Sequence, residues 1–254
     1  MNKIFTFLIM LLSIHLSAQF YEITYETQVQ THYTTKGLKW FEEWEDDPKD
    51  RQELIELNKN PPKEVFEFLY SDHLSKTSYI QKVRNSQNDQ TFFITKTPIG
   101  IFGTTNDYAN KEFLYNMDVY GKNYLVKGDL IELDIKETGN KKEILNLPVI
   151  EATAKVNNID FIIWYTTAIP YHFSPDIYYT KKGFILEMHY KKSDDESEII
   201  NSWVATNKKE IKKSSKINLS TKGTLINSNQ VDAIWDEANN KRNEMFNNDE
   251  IDKK

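Results

Sequence analysis

The chain has 254 residues, with 38 acidic against 32 basic side chains and a net charge of −6. That balance argues against nucleic-acid or anionic-membrane partners, which call for a basic face. There is no cysteine, so disulfides, thiol catalysis, Cys-ligated zinc and thiol redox chemistry are excluded, while 39% hydrophobic residues with only 8 glycines and 7 prolines fit a globular chain that buries its own core.

Residues 1–18 read as a secretory signal. Lys3 is the positive end, residues 4–12 are apolar but for Thr6, and Ser17-Ala18 supplies small residues before a cut between Ala18 and Gln19. The apolar run is shorter than the ~20 residues of a spanning helix, so no transmembrane span is expected. No cysteine follows the cut, so no lipid anchor is expected either. The protein is placed in the periplasm or outside the cell, with residues 19–254 as a single β-rich domain.

Residues 20–29 alternate, Tyr21, Ile23 and Tyr25 against Glu22, Thr24 and Glu26, as a half-buried strand does. Residues 37–62 change character to a charged helical insertion. Asp47-Pro48 looks like an N-cap with proline at the first helical position, and Leu54, Ile55 and Leu57 form a short apolar stripe. The acids Glu42, Glu43, Glu45, Asp46 and Asp47 have no glycine turn among them, so they read as a solvated face rather than a calcium loop. Residues 65–70 and 78–83 suggest a hairpin turning near Asp72-His73, residues 85–90 a polar turn, and Phe92 to Ile94 the start of a strand. Residues 98–110 read as a loop carrying Ile99, Ile101 and Phe102. Strands are then expected at 113–117, 123–126, 130–135 and 149–156, with turns at Tyr120-Gly121, Lys127 to Asp129, Gly139-Asn140 and Asn157-Asn158. Within 130–135, Ile131, Leu133 and Ile135 are expected to face the core.

The central block, residues 161–190, has two aromatic-rich strands around a corner punctuated by Pro170, Pro175 and Gly183. Trp164-Tyr165-Thr166, Ile169-Pro170, Ser174-Pro175 and Gly183-Phe184-Ile185-Leu186-Glu187 resemble the signature of the GLPGLI family. Gly121-Lys122 with Tyr124-Leu125-Val126, and the segment from Ile144 to Ala152, resemble two of its upstream strands. Gly183 and Ile185 match the name-giving hexapeptide outright, and Phe184 nearly so. Ser174 replaces a glycine, while Asn146, Val149 and Glu151 replace the family's Gly, Cys and Lys. The resemblance implies a divergent member of a family of exported proteins of Gram-negative bacteria, with structural roles for Trp164, Tyr165, Pro170, Pro175, Gly183, Ile185, Leu186 and Glu187. It implies no activity.

Residues 191–198 read as a charged hairpin turn, 199–205 as a strand and 210–219 as a lysine-rich edge strand. Residues 228–248 switch to a helical period. Ser228 is the expected cap, and Val231, Ile234, Trp235 and Ala238, with Met245 further on, form one apolar face over the sheet.

No P-loop, GxGxxG, GxSxG or HExxH is present, and no cofactor is implied. One neighbourhood holds chemistry-bearing residues. Glu187 and His189 lie two apart on one strand face, and with His172 or Asp176 they could form a metal site or an acid–base pair; the alternative is a solvated strand face. The fold expected is mainly β. It is a curved antiparallel sheet or partly closed β-barrel of about nine to eleven strands, with a C-terminal α-helix and a short helical insertion. The favoured function is non-enzymatic binding of an apolar ligand or an envelope protein. A hydrolase-like or metal-binding enzyme at His172, Glu187 and His189 is one alternative, and a structural subunit of an envelope assembly is another.

Overall fold

The computed structural model describes residues 20–44, 47–80, 103–211 and 217–249. The segment 1–19, Glu45, Asp46, the turn at 85–90, Phe92 to Ile94, the apolar trio Ile99, Ile101 and Phe102, and the side chain of Met245 lie outside the described residues. In chain order the elements are β1 (Phe20–Tyr33), α1 (Thr35–Trp44), α2 (Pro48–Lys59), β2 (Glu64–Ser71), β3 (Leu74–Tyr79), β4 (Thr104–Asp107), β5 (Glu112–Val119), β6 (Lys122–Asp129) and β7 (Ile131–Glu132). There follow β8 (Lys136–Ile144), β9 (Leu147–Val156), β10 (Ile159–Thr166), β11 (Tyr178–Tyr179), β12 (Phe184–Ser193), β13 (Ser197–Ile211), β14 (Thr224–Asn227) and α3 (Val231–Asp249).

Twelve strands form one curved, open sheet in the order β14-β6-β5-β4-β3-β2-β1-β13-β12-β10-β9-β8. Neighbours are antiparallel except β14, which joins β6 in parallel. The fold is thus mainly β, in the open rather than the barrel form. The described strands number fourteen, above the nine to eleven expected, because several are too short or too polar to show in the sequence.

Strand alternation gives the sheet two unlike faces. Ile23, Tyr25, Phe66, Phe68, Tyr70, Phe161, Ile163, Tyr165, Met188, Tyr190, Trp203 and Ala205 are buried on the inner face. Among the described residues no helix contributes to this cluster. Instead the chain between β10 and β12 folds back across the face and contributes Ile169, Phe173, Ile177, Tyr178 and Tyr179 to the same core. β7 and β11 pair in parallel within this cover. The polar strand β4 serves it too. Its four residues are all buried, and Asn106 Nδ2 donates to the Asp176 carbonyl at 2.9 Å. From β3, Thr77 Oγ1 donates to the Pro175 carbonyl at 2.9 Å.

The helical insertion lies between β1 and β2 as expected. Asp47 caps α2, accepting from the Lys49 and Asp50 amides at 2.7 and 3.4 Å. Gln28 and Gln30 of β1 donate to the Pro61 and Lys59 carbonyls, so α2 is tied along that strand. At the far end of the sheet α3 packs Val231, Ile234 and Ala238 on a second cluster of Met117, Val119, Tyr124, Val126 and Ile226. Trp235 belongs to the same stripe in sequence but is 37% exposed.

Several expectations need correction. The hairpin partner of β2 is 74–79, which includes Ser78 and Tyr79 of the expected 78–83 while 81–83 lie outside the described residues, because the turn is only Asp72-His73 and sets Ser71 opposite Leu74. Residues 104–107 of the supposed loop are strand. Only Ile131 and Glu132 of 130–135 are strand, and Leu130 rather than Ile131 is buried with Leu133 and Ile135. The cause is pairing with the corner, since the Ile131 and Leu133 amides donate to the Ile177 and Tyr179 carbonyls. Gly139-Asn140 is an irregularity inside β8, not a turn; the turn is Leu145-Asn146, both at positive φ. The strand at 199–205 and the supposed edge at 210–219 are not separate up to Ile211: β13 is one strand, central between β1 and β12. The lysine-bearing edge is β8. Ser228 begins a short 3₁₀ turn rather than capping α3, and the Asn227 amide bonds back to Gln230.

Candidate functional site

Glu187 and His189 sit together on the outer face of β12. Glu187 Oε1 is 3.0 Å from His189 Nε2, and Glu187 Oε2 accepts from Lys142 Nζ at 2.7 Å. Burial would raise the Glu187 carboxyl, but the His189 and Lys142 hydrogen bonds outweigh it and hold it below its usual value. The Lys142 ammonium also lies 4.1 Å from the centre of the Trp164 ring, a cation–π contact. Trp164 pairs across the sheet with Glu187 on one side and Glu151 on the other. Glu151 in turn accepts from Thr138 and Asn140, each at 2.6 Å, which lowers its carboxyl. Ile185 departs from strict alternation. It is fully buried, because the register shifts at this point and its amide bonds to the Phe173 carbonyl of the overlying corner.

Asp176 belongs to the other side of the sheet. Its Oδ2 accepts from the Tyr190 hydroxyl and the Trp203 indole, both at 3.0 Å, and its Oδ1 from the Ile177 amide at 2.6 Å. Tyr190 and Trp203 are inner-face core residues, so the sheet itself stands between Asp176 and the Glu187–His189 pair. Burial pushes the Asp176 carboxyl up to about 6, despite the Ile177, Tyr190 and Trp203 donors that favour the ionised form. His172 is exposed on the corner. The expected cluster is therefore divided: Glu187 and His189 meet, and Asp176 does not join them. Among the described residues, no group of three or more His, Cys, Asp or Glu side chains could hold a metal ion. Tyr165, Pro175, Gly183, Ile185 and Leu186 are buried, while Pro170 is exposed. Pro175 presents the carbonyl that Thr77 binds.

A different place has the shape of a binding site. A cleft of about 390 Å³ opens between the β5–β6 turn and α3, toward the small end of the ~300–1,000 Å³ usual for ligand sites. Val119, Ile234 and Ala238 give it an apolar floor, Tyr120 and Tyr124 its aromatic walls, and Lys122, Lys241 and Arg242 a cationic rim. Tyr120 and Gly121 form the turn, at φ 49° and 84°. Both angles suit the tight hairpin turn that favours Asn-Gly, so an aromatic side chain in first place is unusual. The Tyr120 ring is 54% exposed and held from three sides. Its hydroxyl donates to Asn239 Oδ1 at 2.7 Å, Trp235 meets it edge-on, and Arg242 lies 5.3 Å from its centre. None of this was evident from spacing. The one available signal was the tyrosine in a turn that prefers asparagine, facing basic residues one turn past the apolar stripe of a helix.

No described helix is long and apolar enough to cross a membrane. No protein-family model matches the chain, and no curated protein matches it. Among solved structures, two of PNGF-II are similar to it. The one in space group P21 shares 17% identity at a TM-score of 0.49, and the one in space group C2 shares 17% at 0.46. Each alignment covers 87% of this chain, which spans only about a third of the length of those chains, 34% and 32%.

Proposed function

We propose that this is an exported cell-envelope protein, a divergent relative of the GLPGLI family, that binds a small ligand without catalysis. The observation that carries the binding is the cleft between the β5–β6 turn and α3, with apolar floor, aromatic walls and charged rim. Export rests on the signal-like segment 1–18, and kinship on the Trp164 to Glu187 block. The enzyme alternative is disfavoured by geometry. Glu187 is committed to Lys142 and His189, and Asp176 is enclosed beneath the sheet.

Intact-mass and native mass spectrometry of protein taken from its own cell envelope test both parts. The expected polypeptide mass is that of a chain beginning at Gln19. The native spectrum is expected to carry a small-molecule adduct that disappears in Ala238→Trp, which puts an indole into the cleft. An uncut chain overturns export. No adduct, or one indifferent to the substitution, overturns the binding site.

A further inference from the structure

We infer that the cleft selects a single-chain amphiphile with an anionic head, a carboxylate or phosphate, held between Lys122 and Arg242 while its apolar part lies on Ile234 and Ala238. This rests on the binding reading above and adds the ligand's charge and shape.

The rim charge is opposite in sign to that of the whole protein. The chain carries −6 overall, yet three cations border the cleft against one carboxylate, Glu237. Glu237 bonds to Lys241, which turns Lys241 away from free service, and its carboxyl also feels the Lys122 charge at longer range. Glu244 acts on Lys241 as well. Lys122 and Arg242 remain. Among the described residues neither forms an ion pair; each lies over a tyrosine ring instead, Lys122 over Tyr124 at 5.0 Å and Arg242 over Tyr120 at 5.3 Å. A cation kept over an aromatic face, beside an apolar floor, is positioned to receive an anion with little reorganisation, and the low-dielectric walls strengthen that attraction. Of the other acids on this part of the helix, Asp232 acts on Tyr115, which does not line the cleft, and Asp236 does not line it either.

The remaining lining excludes a simple inorganic anion as the intended occupant. Val119, Ile234 and Ala238 offer such an ion nothing, whereas an alkyl chain covers them and is stabilised by each CH₂ it buries. Tyr120 fits the same purpose. Its strained backbone holds a ring at the mouth, where ring and chain can pack and the hydroxyl is already bound to Asn239.

The experiment uses the mature chain and four probes with tails of closely matched length, heptyl in octanoate and octyl in octyl phosphate, octanol and octyltrimethylammonium, all as monomers. Binding is followed by calorimetry and by Trp235 fluorescence. Both anions are expected to bind about tenfold or more tighter than octanol, as one or two charge-assisted hydrogen bonds allow. The cationic probe is expected to bind weakest, and the anion preference to shrink as salt rises. In the double variant Lys122→Gln, Arg242→Gln, octanol binding persists and the anion preference is lost. Octanoate ahead of octyl phosphate points to a free acid as the natural ligand, and the reverse order to a lipid phosphate. Equal affinity for octanol and the anions, or a preference that survives the double variant, overturns the anionic head and leaves the binding site standing. No binding of any probe overturns both.

Discussion

Asp176→Ala is expected to lower the unfolding free energy by about 3–5 kcal/mol, as the loss of a hydrogen-bonded buried charge does. Among the described residues the carboxylate is the acceptor of both the Tyr190 hydroxyl and the Trp203 indole, and alanine leaves both donors facing apolar neighbours. It also releases the overlying corner from β12 and β13, to which this side chain fastens it. Its pH dependence is opposite to that of an ordinary ion-paired carboxylate. Burial raises the folded group to about 6 from 3.8. Below pH 3.8 the proton is bound in both states. Between there and about 6 the unfolded chain has released it and the folded chain keeps it, so this group's contribution falls as pH rises, by about 3 kcal/mol in all. Glu151, Glu187 and Glu237, held below their usual values, contribute in the opposite direction. Comparison with Asp176→Asn, which cannot ionise, cancels them. Asparagine pairs one donor with another and starts less stable at pH 4, then gains about 2–2.5 kcal/mol on the wild type by pH 7.5 in denaturant titrations. A flat difference across that window would mean that Asp176 keeps its ordinary titration in the fold.

The sequence displayed the strands whose burial alternates and concealed those whose burial does not. β10 and the opening stretches of β1 and β12 carry apolar side chains at every second position, and the period shows. β4 is Thr-Thr-Asn-Asp and fully buried, which reads as a loop because its partners, the carbonyl of Asp176 and the rest of the corner, are remote in sequence. β8 is exposed almost throughout and has no buried face to declare. β13 was divided because its second half is charged, yet Phe20 to Thr24 pair with that half and make it central. The Glu187–His189 pair followed from a spacing of two on one strand. Asp176, one of two companions the sequence offers that pair, lies on the other side of the sheet, since loop sequence does not tell which face a corner covers. The parity of Tyr190 with Met188 does indicate the face that receives it. The cleft joins residues 119–124 to 234–242, and no local period links a hairpin tip to a distant helix.

Gly183→Ala is expected to cost about 2–3 kcal/mol, and Gly183→Val more, as overpacking at an unyielding site does. A Cβ at this position would stand 2.4 Å from the Thr166 carbonyl oxygen and 2.8 Å from Tyr165 Cδ2. Thr166 pairs with Phe184 at the end of the β10–β12 ladder, so the oxygen can retreat only by opening that pairing and disturbing Phe184, which is fully buried against Phe68 and Tyr70. Gly139→Ala is the control. Its Cβ would meet nothing within 4 Å, and its positive φ of 88° alone sets the cost, about 1–2 kcal/mol. Equilibrium unfolding of the two variants should therefore rank Gly183 as the more sensitive, and the reverse order would deny the close approach. Phe184 and Ile185 beside Gly183 are buried, whereas Lys181 and Lys182 stand exposed in the turn that precedes it. Thr180 is buried at the start of that turn, its hydroxyl accepting from the Lys182 amide at 3.2 Å. Gly183 is thus a place where two strands approach too closely for any side chain, a demand of packing that holds whatever the protein binds.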